Sequence, residues 1–284
     1  MFGRLSASWE LALCSWQVLR MNKKLLLFPL LSGLGCILVL ISFVVPFVLN
    51  PQWLAALNVN NGANQPVWTY LVAFAYYFCN YFVIVFFNAA LISCALLQFH
   101  GETPTLGDGL RAAWSRLPQI LAWALVSATV GMLLKAVENV HEKAGQIISA
   151  ILGTVWTVIT FFVVPVLVVE KVGPFEAVRR SVALLKKTWG EALVGHWGIG
   201  LFLLLLLLPG ILLAVVGVAL LVQAPPALGI AVLVLAALYF ILWSAAGSAL
   251  NGIFLGALYQ YAAFGEVPHG FDQDTLEHVF QRKE

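Results

Sequence analysis

Charged residues are scarce in this chain of 284 residues, since Asp, Glu, Lys and Arg together make up only 10% of it. Hydrophobic residues make up 62%, and the mean hydropathy is +0.95. This composition excludes an ordinary soluble domain, in which about a quarter of the residues are charged. The uncharged stretches are long enough to cross a membrane as helices and lack the alternation of barrel strands. We therefore predict an all-α, polytopic membrane helix bundle.

Sequence motifs of catalysis, metal binding and phosphate binding are also missing. There is no HExxH, no glycine-rich nucleotide loop, and no Ser/His/Asp set that could share one membrane face. The five histidines are dispersed along the chain. The four cysteines show no metal-ligand spacing, so we expect them to be small buried side chains. No charged residue lies deep in an apolar run, so the usual marks of proton relays and ion-coupled pumps are absent. We expect a protein that is not an enzyme and uses no cofactor or metal ion.

Six apolar runs are long enough to form transmembrane helices, and they cover residues 25–49, 67–99, 118–134, 146–169, 192–223 and 228–264. Segments 1–20, 101–117 and 174–189 carry apolar and charged residues at helical spacing, which predicts three amphipathic helices at the membrane interface. Residues 265–284 are expected to form a cytoplasmic tail, and all 284 residues a single integral membrane domain. Within the fifth run, Pro209 and Gly210 predict a break in the helix.

Positive charge is distributed unevenly between the connecting segments. Residues 50–66 contain no Lys or Arg, and only Lys135 and Lys143 lie near a segment assigned to the same side. By the positive-inside rule, this side is extracytoplasmic. We therefore expect a multi-pass protein of the cell inner (cytoplasmic) membrane, with both termini in the cytoplasm.

Residues 161–189 predict the end of a span, a turn and an interfacial helix. Glu170 marks the exit from hydrocarbon, because an ionised carboxylate is costly at bilayer depth. Pro174 and Glu176 are typical of a helix start. At about 100° per residue, one face of this helix carries Phe175, Val178, Val182, Leu185 and Trp189, and the opposite face carries Glu176, Arg179, Arg180, Lys186 and Lys187. The pattern predicts a helix with its apolar side in the membrane and its basic side toward water.

The same order of features recurs along the chain. The interfacial segments align without gaps on Glu10, Asp108 and Glu176, and the sequence GETP at 101–104 returns as GEVP at 265–268. These matches favour a unit of one interfacial helix and two spans that is used three times. The alternative is that every exit from the membrane requires an acidic residue, a turn and a proline.

One motif in this region resembles a known family. Residues 170–181 have the sequence EKVGPFEAVRRS, followed by Leu184-Leu185 and Trp189-Gly190. The motif resembles that of uncharacterised bacterial six-helix membrane proteins related to the membrane domain of some glycerophosphoryl diester phosphodiesterases. The resemblance implies a six-helix membrane fold, but no catalytic residues, because the chemistry of the fused enzymes belongs to a separate soluble domain.

The polar residues within the spans are amides and small residues. The candidates for a helix-packing face or a pore face are Asn80, Asn88, Ser248, Asn251, Gly252, Gly256 and Gln260. Amide hydrogen bonds between helices contribute about 0.6 kcal/mol on average and are common, which favours packing over a polar pathway. The spacing of four residues from Ser248 to Gln260 also favours close approach of another helix.

Eight basic residues next to the spans are predicted to bind lipid head groups: Lys23, Lys24, Arg111, Arg116, Arg179, Arg180, Lys186 and Lys187. Lipid phosphates are the nearest anions at these positions, so nucleic acid is not expected as a partner. The first hypothesis is a membrane-organising protein that binds anionic lipids or a partner through this basic cytoplasmic collar. The alternative is an oligomeric channel or transporter lined by the long second and sixth helices, and an intramembrane enzyme ranks last. A second copy of the chain or another membrane protein is the expected protein partner.

Overall fold

The computed structural model describes residues 2–50, 52, 67–140, 144–187, 189–223 and 225–268. Within these residues the chain is helical and contains no β-strand, which confirms the all-α prediction. The helices are α1 (Phe2–Met21), α2 (Leu27–Leu49), α3 (Val67–Phe99), α4 (Leu106–Trp114), α5 (Leu117–Val140), α6 (Ala144–Ile159), α7 (Val163–Glu170), α8 (Pro174–Lys187), α9 (Trp189–Gln223) and α10 (Pro226–Phe264). A short 3₁₀ turn, Lys23–Leu26, leads into α2.

Among the residues that the structure describes, six helical segments are long and apolar enough to cross a membrane, which confirms the predicted number of spans. They are Lys23–Leu49, Val67–Phe99, Leu117–Glu138, Ala144–Glu170, Ile199–Gln223 and Pro226–Phe264. The longest helix, α10, has 39 residues. At 1.5 Å per residue it is roughly 58 Å long, nearly twice the thickness of a hydrocarbon core, so it must tilt or extend beyond the membrane. Residues 53–66 and 141–143, predicted to be extracytoplasmic, and most of the predicted tail lie outside the described residues.

The chain divides into two compact units. The first comprises Met1–Leu30, Leu91–Gly109 and Leu184–Glu284, and the second comprises Leu31–Ala90 and Leu110–Ala183. In the first unit α1 packs against α9 and α10, and Phe202 of α9 lies 5.5 Å from Trp9 and 5.7 Å from Trp16 between ring centroids. In the second unit α5 and α6 pack together, and the rings of Trp123 and Trp156 are stacked 5.6 Å apart.

The predicted break at Pro209 and Gly210 is wrong, because α9 continues through both residues from Trp189 to Gln223. A proline removes one backbone hydrogen bond, in this case the bond to the carbonyl of Leu205, and membrane helices tolerate one such loss. Packing against α10 holds α9 near this position, because Trp243 Nε1 donates to Leu203 O at 2.9 Å and the Tyr239 hydroxyl donates to Leu206 O. Gly210 permits this close packing, since a Cβ atom there would lie 2.7 Å from Tyr239 Cδ1.

The break in regular helix occurs instead in the fourth span, which was predicted as one run over 146–169. Helix α6 ends at Ile159 and α7 begins at Val163. Between them Phe161 N–H donates to Val158 O, and Val163 N–H donates to Thr160 O. These hydrogen bonds join residues three apart rather than four, so the helix is more tightly wound over one turn.

Three helices that end spans are followed or closed by a residue in the left-handed conformation: Gly101 after α3 with φ +84°, Lys171 after α7 with φ +59°, and Gly265 after α10 with φ +73°. The left-handed residue precedes Glu102 and Glu266 but follows Glu170. The acidic residue at the end of each of these three helices therefore does not hold the same backbone position each time. Glu170 differs because it lies inside α7, whereas Glu102 and Glu266 follow their helices.

Candidate functional site

A buried hydrogen bond stabilises the packing of α8 against the start of α7. Because the helix tightens before α7, the N–H of Phe162 lacks the usual carbonyl four residues earlier. Ser181 of α8 accepts it instead, with Phe162 N and Ser181 Oγ 2.9 Å apart and Ser181 fully buried. Ala177, one turn before Ser181, is also fully buried. Small side chains at these two positions of α8 allow the close approach to α7.

Two of the eight predicted head-group residues form close hydrogen bonds with the protein itself, whereas Arg179 forms only a longer, exposed pair with Glu176 at 3.8 Å. Arg180 Nε donates to Glu170 Oε1 at 2.8 Å, with 37% and 25% of the two side chains exposed. Arg116 Nε donates to Val168 O at 2.8 Å, which satisfies a carbonyl in the last turn of α7. Both arginines therefore stabilise the end of this helix in the second unit.

The other cations of the second unit are exposed beside large exposed apolar side chains. On α8, Phe175 is 83% exposed and Arg179 is exposed one turn later. On α4, Trp114 is 67% exposed and Arg111 is exposed one turn earlier. Residues three or four apart lie on one helix face, so each helix presents an apolar side chain and a cation together. Phe175 thus points away from the protein, whereas Leu185 of the same predicted face is buried, as are Ala177 and Ser181.

Four further predicted cations belong to the first unit. Lys23 and Lys24 lie in the 3₁₀ turn before α2, and Lys186 and Lys187 end α8. All four are exposed. The side chain of Trp189, predicted to complete the apolar face of α8, lies outside the described side chains.

A cavity of about 490 Å³ opens in the first unit. It is lined by Met21, Asn22, Lys24, Gln98 and residues 101–105. Asn22 Nδ2 donates to Pro104 O at 3.1 Å, and Asn22 Oδ1 accepts a hydrogen bond from Lys24 N at 3.3 Å. These bonds tie the turn that carries Lys24 to the segment that follows α3.

The floor and rim of this cavity are also fixed by hydrogen bonds. Gln98 Nε2 donates to Val18 O at 3.0 Å, while Gln98 Oε1 is buried and accepts no hydrogen bond from the described residues. Thr105 and Asp108 form a capping box at the start of α4, in which Thr105 N and Oγ1 donate to Asp108 Oδ2 at 2.9 and 2.7 Å. The cavity wall is therefore held by the ends of α1, α3 and α4.

The polar residues predicted to pack helices or to line a pore lie on α3 and α10. Asn80 and Asn251 each donate to a carbonyl four residues earlier in their own helices, Tyr76 O and Gly247 O, at 2.9 Å. Asn88 is half-buried and Ser248 is exposed. Gln260 Nε2 donates to Glu266 Oε2 at 3.3 Å.

Gly252 and Gly256 face the end of α3 within the first unit. A Cβ atom on Gly252 would overlap Leu91 Cδ2, and one on Gly256 would lie 3.6 Å from Phe99 Cε2 and 3.8 Å from Ala95 Cβ. Both glycines are buried. Gly252 and Gly256 therefore permit close packing of α10 on α3.

Comparison with known proteins gives a family without a described activity. The model of a family of unknown function, DUF6159, matches residues 67–269, which is more than half of the chain. The chain belongs to this family. No curated protein and no solved structure matches it. The match agrees with the predicted membership of an uncharacterised family, but it provides no link to glycerophosphoryl diester phosphodiesterases.

In the described part of this DUF6159 protein, no group of three His, Cys, Asp or Glu side chains could hold a metal ion. Four residues that fix these contacts were not among the predicted site residues: Ser181, Asn22, Gln98 and Thr105. The sequence contains a partial signal for two of them. Asn22 precedes a helical turn, as capping residues do, and Thr105 stands three residues before Asp108, as in a capping box.

Proposed function

We propose that the chain is a non-enzymatic membrane protein that binds anionic lipid head groups through its exposed cations and so organises the lipid around it. The observation that carries this proposal is the pairing of Arg111 with Trp114 and of Arg179 with Phe175. An apolar side chain next to a cation on one face of a short helix suits the boundary between acyl chains and head groups.

The order of the candidate spans supports a common side of the membrane for these cations. Lys23 and Lys24 precede the first span, Arg111 lies between the second and third, and Arg179 lies between the fourth and fifth. If every span crosses once, all four emerge on the same side, which the positive-inside rule assigns to the cytoplasm. We propose the cell inner membrane as the location, with anionic lipids as partners.

Lipid selectivity in reconstituted membranes tests the proposal. Spin-labelled phosphatidylglycerol and phosphatidylcholine report how much of each lipid the protein restricts. We expect wild-type protein to prefer phosphatidylglycerol, and the variant with Arg111, Arg179, Lys186 and Lys187 all changed to Gln to lose most of that preference, because each cation near such a surface contributes about 1 kcal/mol. Equal restriction of both lipids by wild-type protein would overturn the proposal.

The alternative function, an oligomeric channel or transporter, stays a prediction from the sequence. The amides of Asn80 and Asn251 donate to carbonyls of their own helices, so these contacts do not favour a polar pathway. We also propose, separately, that the protein assembles with a second copy of itself or with another membrane protein. The mass of the complex in lipid tests this.

A further inference from the structure

The cavity of the first unit lies where two consecutive spans meet one membrane boundary. Lys24 belongs to the segment that starts the first span, and residues 101–105 follow directly after the second span ends at Phe99. The start of one span and the end of the next lie on the same side of a membrane. A cavity of about 490 Å³ is within the usual range of small-molecule sites. Head-group depth is therefore the expected position of its walls, and a cavity of this size can enclose a head group.

The lining of the cavity carries one cation and one carboxylate. Lys24 and Glu102 are both exposed, and neither forms an ion pair with another described residue. The chemical complement of this set is a ligand with an anion at one end and a hydrogen-bond-donating cation at the other.

We propose that this cavity binds the head group of one phospholipid that carries a primary ammonium, such as phosphatidylethanolamine. The phosphate pairs with the Lys24 ammonium, and the ligand ammonium donates to the Glu102 carboxylate. The proposal rests on the proposed function in taking a membrane lipid as the ligand, but it differs in selecting a zwitterionic head group rather than a net negative charge. A head group with a phosphate and no ammonium would leave Glu102 unpaired beside it.

The hydrogen bonds of the cavity wall support a preformed site. Asn22 bonds both to the backbone of Lys24 and to Pro104, so the turn with the cation is attached to the segment with the carboxylate. Gly101, at φ +84°, adopts a backbone conformation that favours glycine, and this turns the chain from α3 into the cavity wall. Fixed walls reduce the ordering cost of binding.

Native mass spectrometry of the full chain in detergent tests the site. Titrations would use phosphatidylethanolamine, phosphatidylcholine and phosphatidylglycerol with identical acyl chains. We expect one phosphatidylethanolamine to bind about five- to tenfold more tightly than phosphatidylcholine, whose quaternary ammonium has no N–H to donate. Lys24→Gln should weaken phosphatidylethanolamine binding about five- to tenfold, and Glu102→Gln should remove the preference over phosphatidylcholine.

Matched controls use charges that do not line the cavity. Arg20→Gln removes an exposed cation of α1, and Glu266→Gln removes the carboxylate of the related GEVP segment; neither should change the preference. Equal binding of the three lipids, or equal effects of Lys24→Gln and Arg20→Gln, would overturn the proposal. Competition by soluble glycerophosphoethanolamine as effective as that by the lipid would also overturn it, because the ligand would then be a free phosphodiester.

The two proposals fail separately. The collar variant at Arg111, Arg179, Lys186 and Lys187 leaves Lys24 and Glu102 unchanged, and its assay compares phosphatidylglycerol with phosphatidylcholine. Equal restriction of phosphatidylglycerol and phosphatidylcholine by wild-type protein, with an intact ethanolamine preference, would contradict the collar alone. Phosphatidylglycerol selectivity without an ethanolamine preference would contradict the cavity site alone.

Discussion

Ser181 on α8 accepts a hydrogen bond from the backbone N–H of Phe162, at the point where the fourth span changes from α6 to α7. The donor and acceptor are 2.9 Å apart and the serine is fully buried. A buried N–H without an acceptor costs about 1–3 kcal/mol, so the irregular turn at residues 160–162 depends on this partner. Ser181 thereby couples the position of α8 to the course of the fourth span.

Ser181→Ala should destabilise the protein by about 1–3 kcal/mol, because it leaves a buried backbone donor without an acceptor. Reversible unfolding in detergent measures the loss. Ser115→Ala is the matched control, since Ser115 is exposed and its Oγ donates to Ala112 O in its own turn. Equal stability of the two variants would show that water or another group satisfies Phe162.

Gly252→Ala should destabilise the packing of α10 on α3, because the added methyl group overlaps Leu91. Overpacking of this kind costs about 1–3 kcal/mol, and the second change Leu91→Ala should recover part of it. Gly33→Ala is the control, since a Cβ atom there meets nothing within 4 Å. Unfolding in detergent provides the comparison, and a Gly252→Ala protein as stable as Gly33→Ala would contradict the predicted contact.

Arg180 and Glu170 should show a coupling free energy of about 0.5–1 kcal/mol in a double-mutant cycle with Gln at each position, because their pair is close and partly buried. The pair of Arg179 with Glu176 is the control, since its atoms lie 3.8 Å apart and the side chains are 83% and 56% exposed. Its coupling should be close to zero. A cycle in neutral detergent that gives the same value for both pairs would contradict the assignment of Arg180 to the protein.

The helical class and the six spans could be predicted from sequence because they depend on uninterrupted apolar length, which is a local property. The breaks could not, since they depend on partners. Pro209 stays inside α9 where Tyr239 and Trp243 donate to nearby carbonyls, whereas the proline-free turn at 160–162 is stabilised by Ser181. Local propensity gives the wrong answer at both places because contacts with a neighbouring helix stabilise the backbone there.

The site could be predicted only in part for the same reason. Sequence identifies basic residues next to spans, but Arg116 and Arg111 look alike until Val168 O, 52 residues away, is placed beside Arg116. The cavity is similarly invisible in sequence, because it joins residues 21–24 to residues 98–105. No periodicity connects segments so far apart.

The orientation predicted from the positive-inside rule can be tested by thiol labelling in a variant without its native cysteines. Single cysteines replacing Asn61 and Glu142 should react with an impermeant reagent added from outside, and one replacing Gln273 should react only after the membrane is opened. Labelling of all three after opening is the control for access. The opposite pattern would reverse the topology and place the exposed cations outside the cell.

The mobility of a spin label at Ala183, an exposed position on α8, tests most directly whether the exposed cations bind anionic lipid. Changing Arg179, Lys186 and Lys187 to Gln removes roughly 3 kcal/mol of attraction to an anionic surface. We predict that the label becomes more mobile in anionic bilayers and is unaffected in neutral ones, while Arg180→Gln loosens it equally in both. Unchanged mobility of the triple variant in anionic and neutral bilayers alike would show that protein contacts alone hold α8, and it would contradict the lipid-binding account.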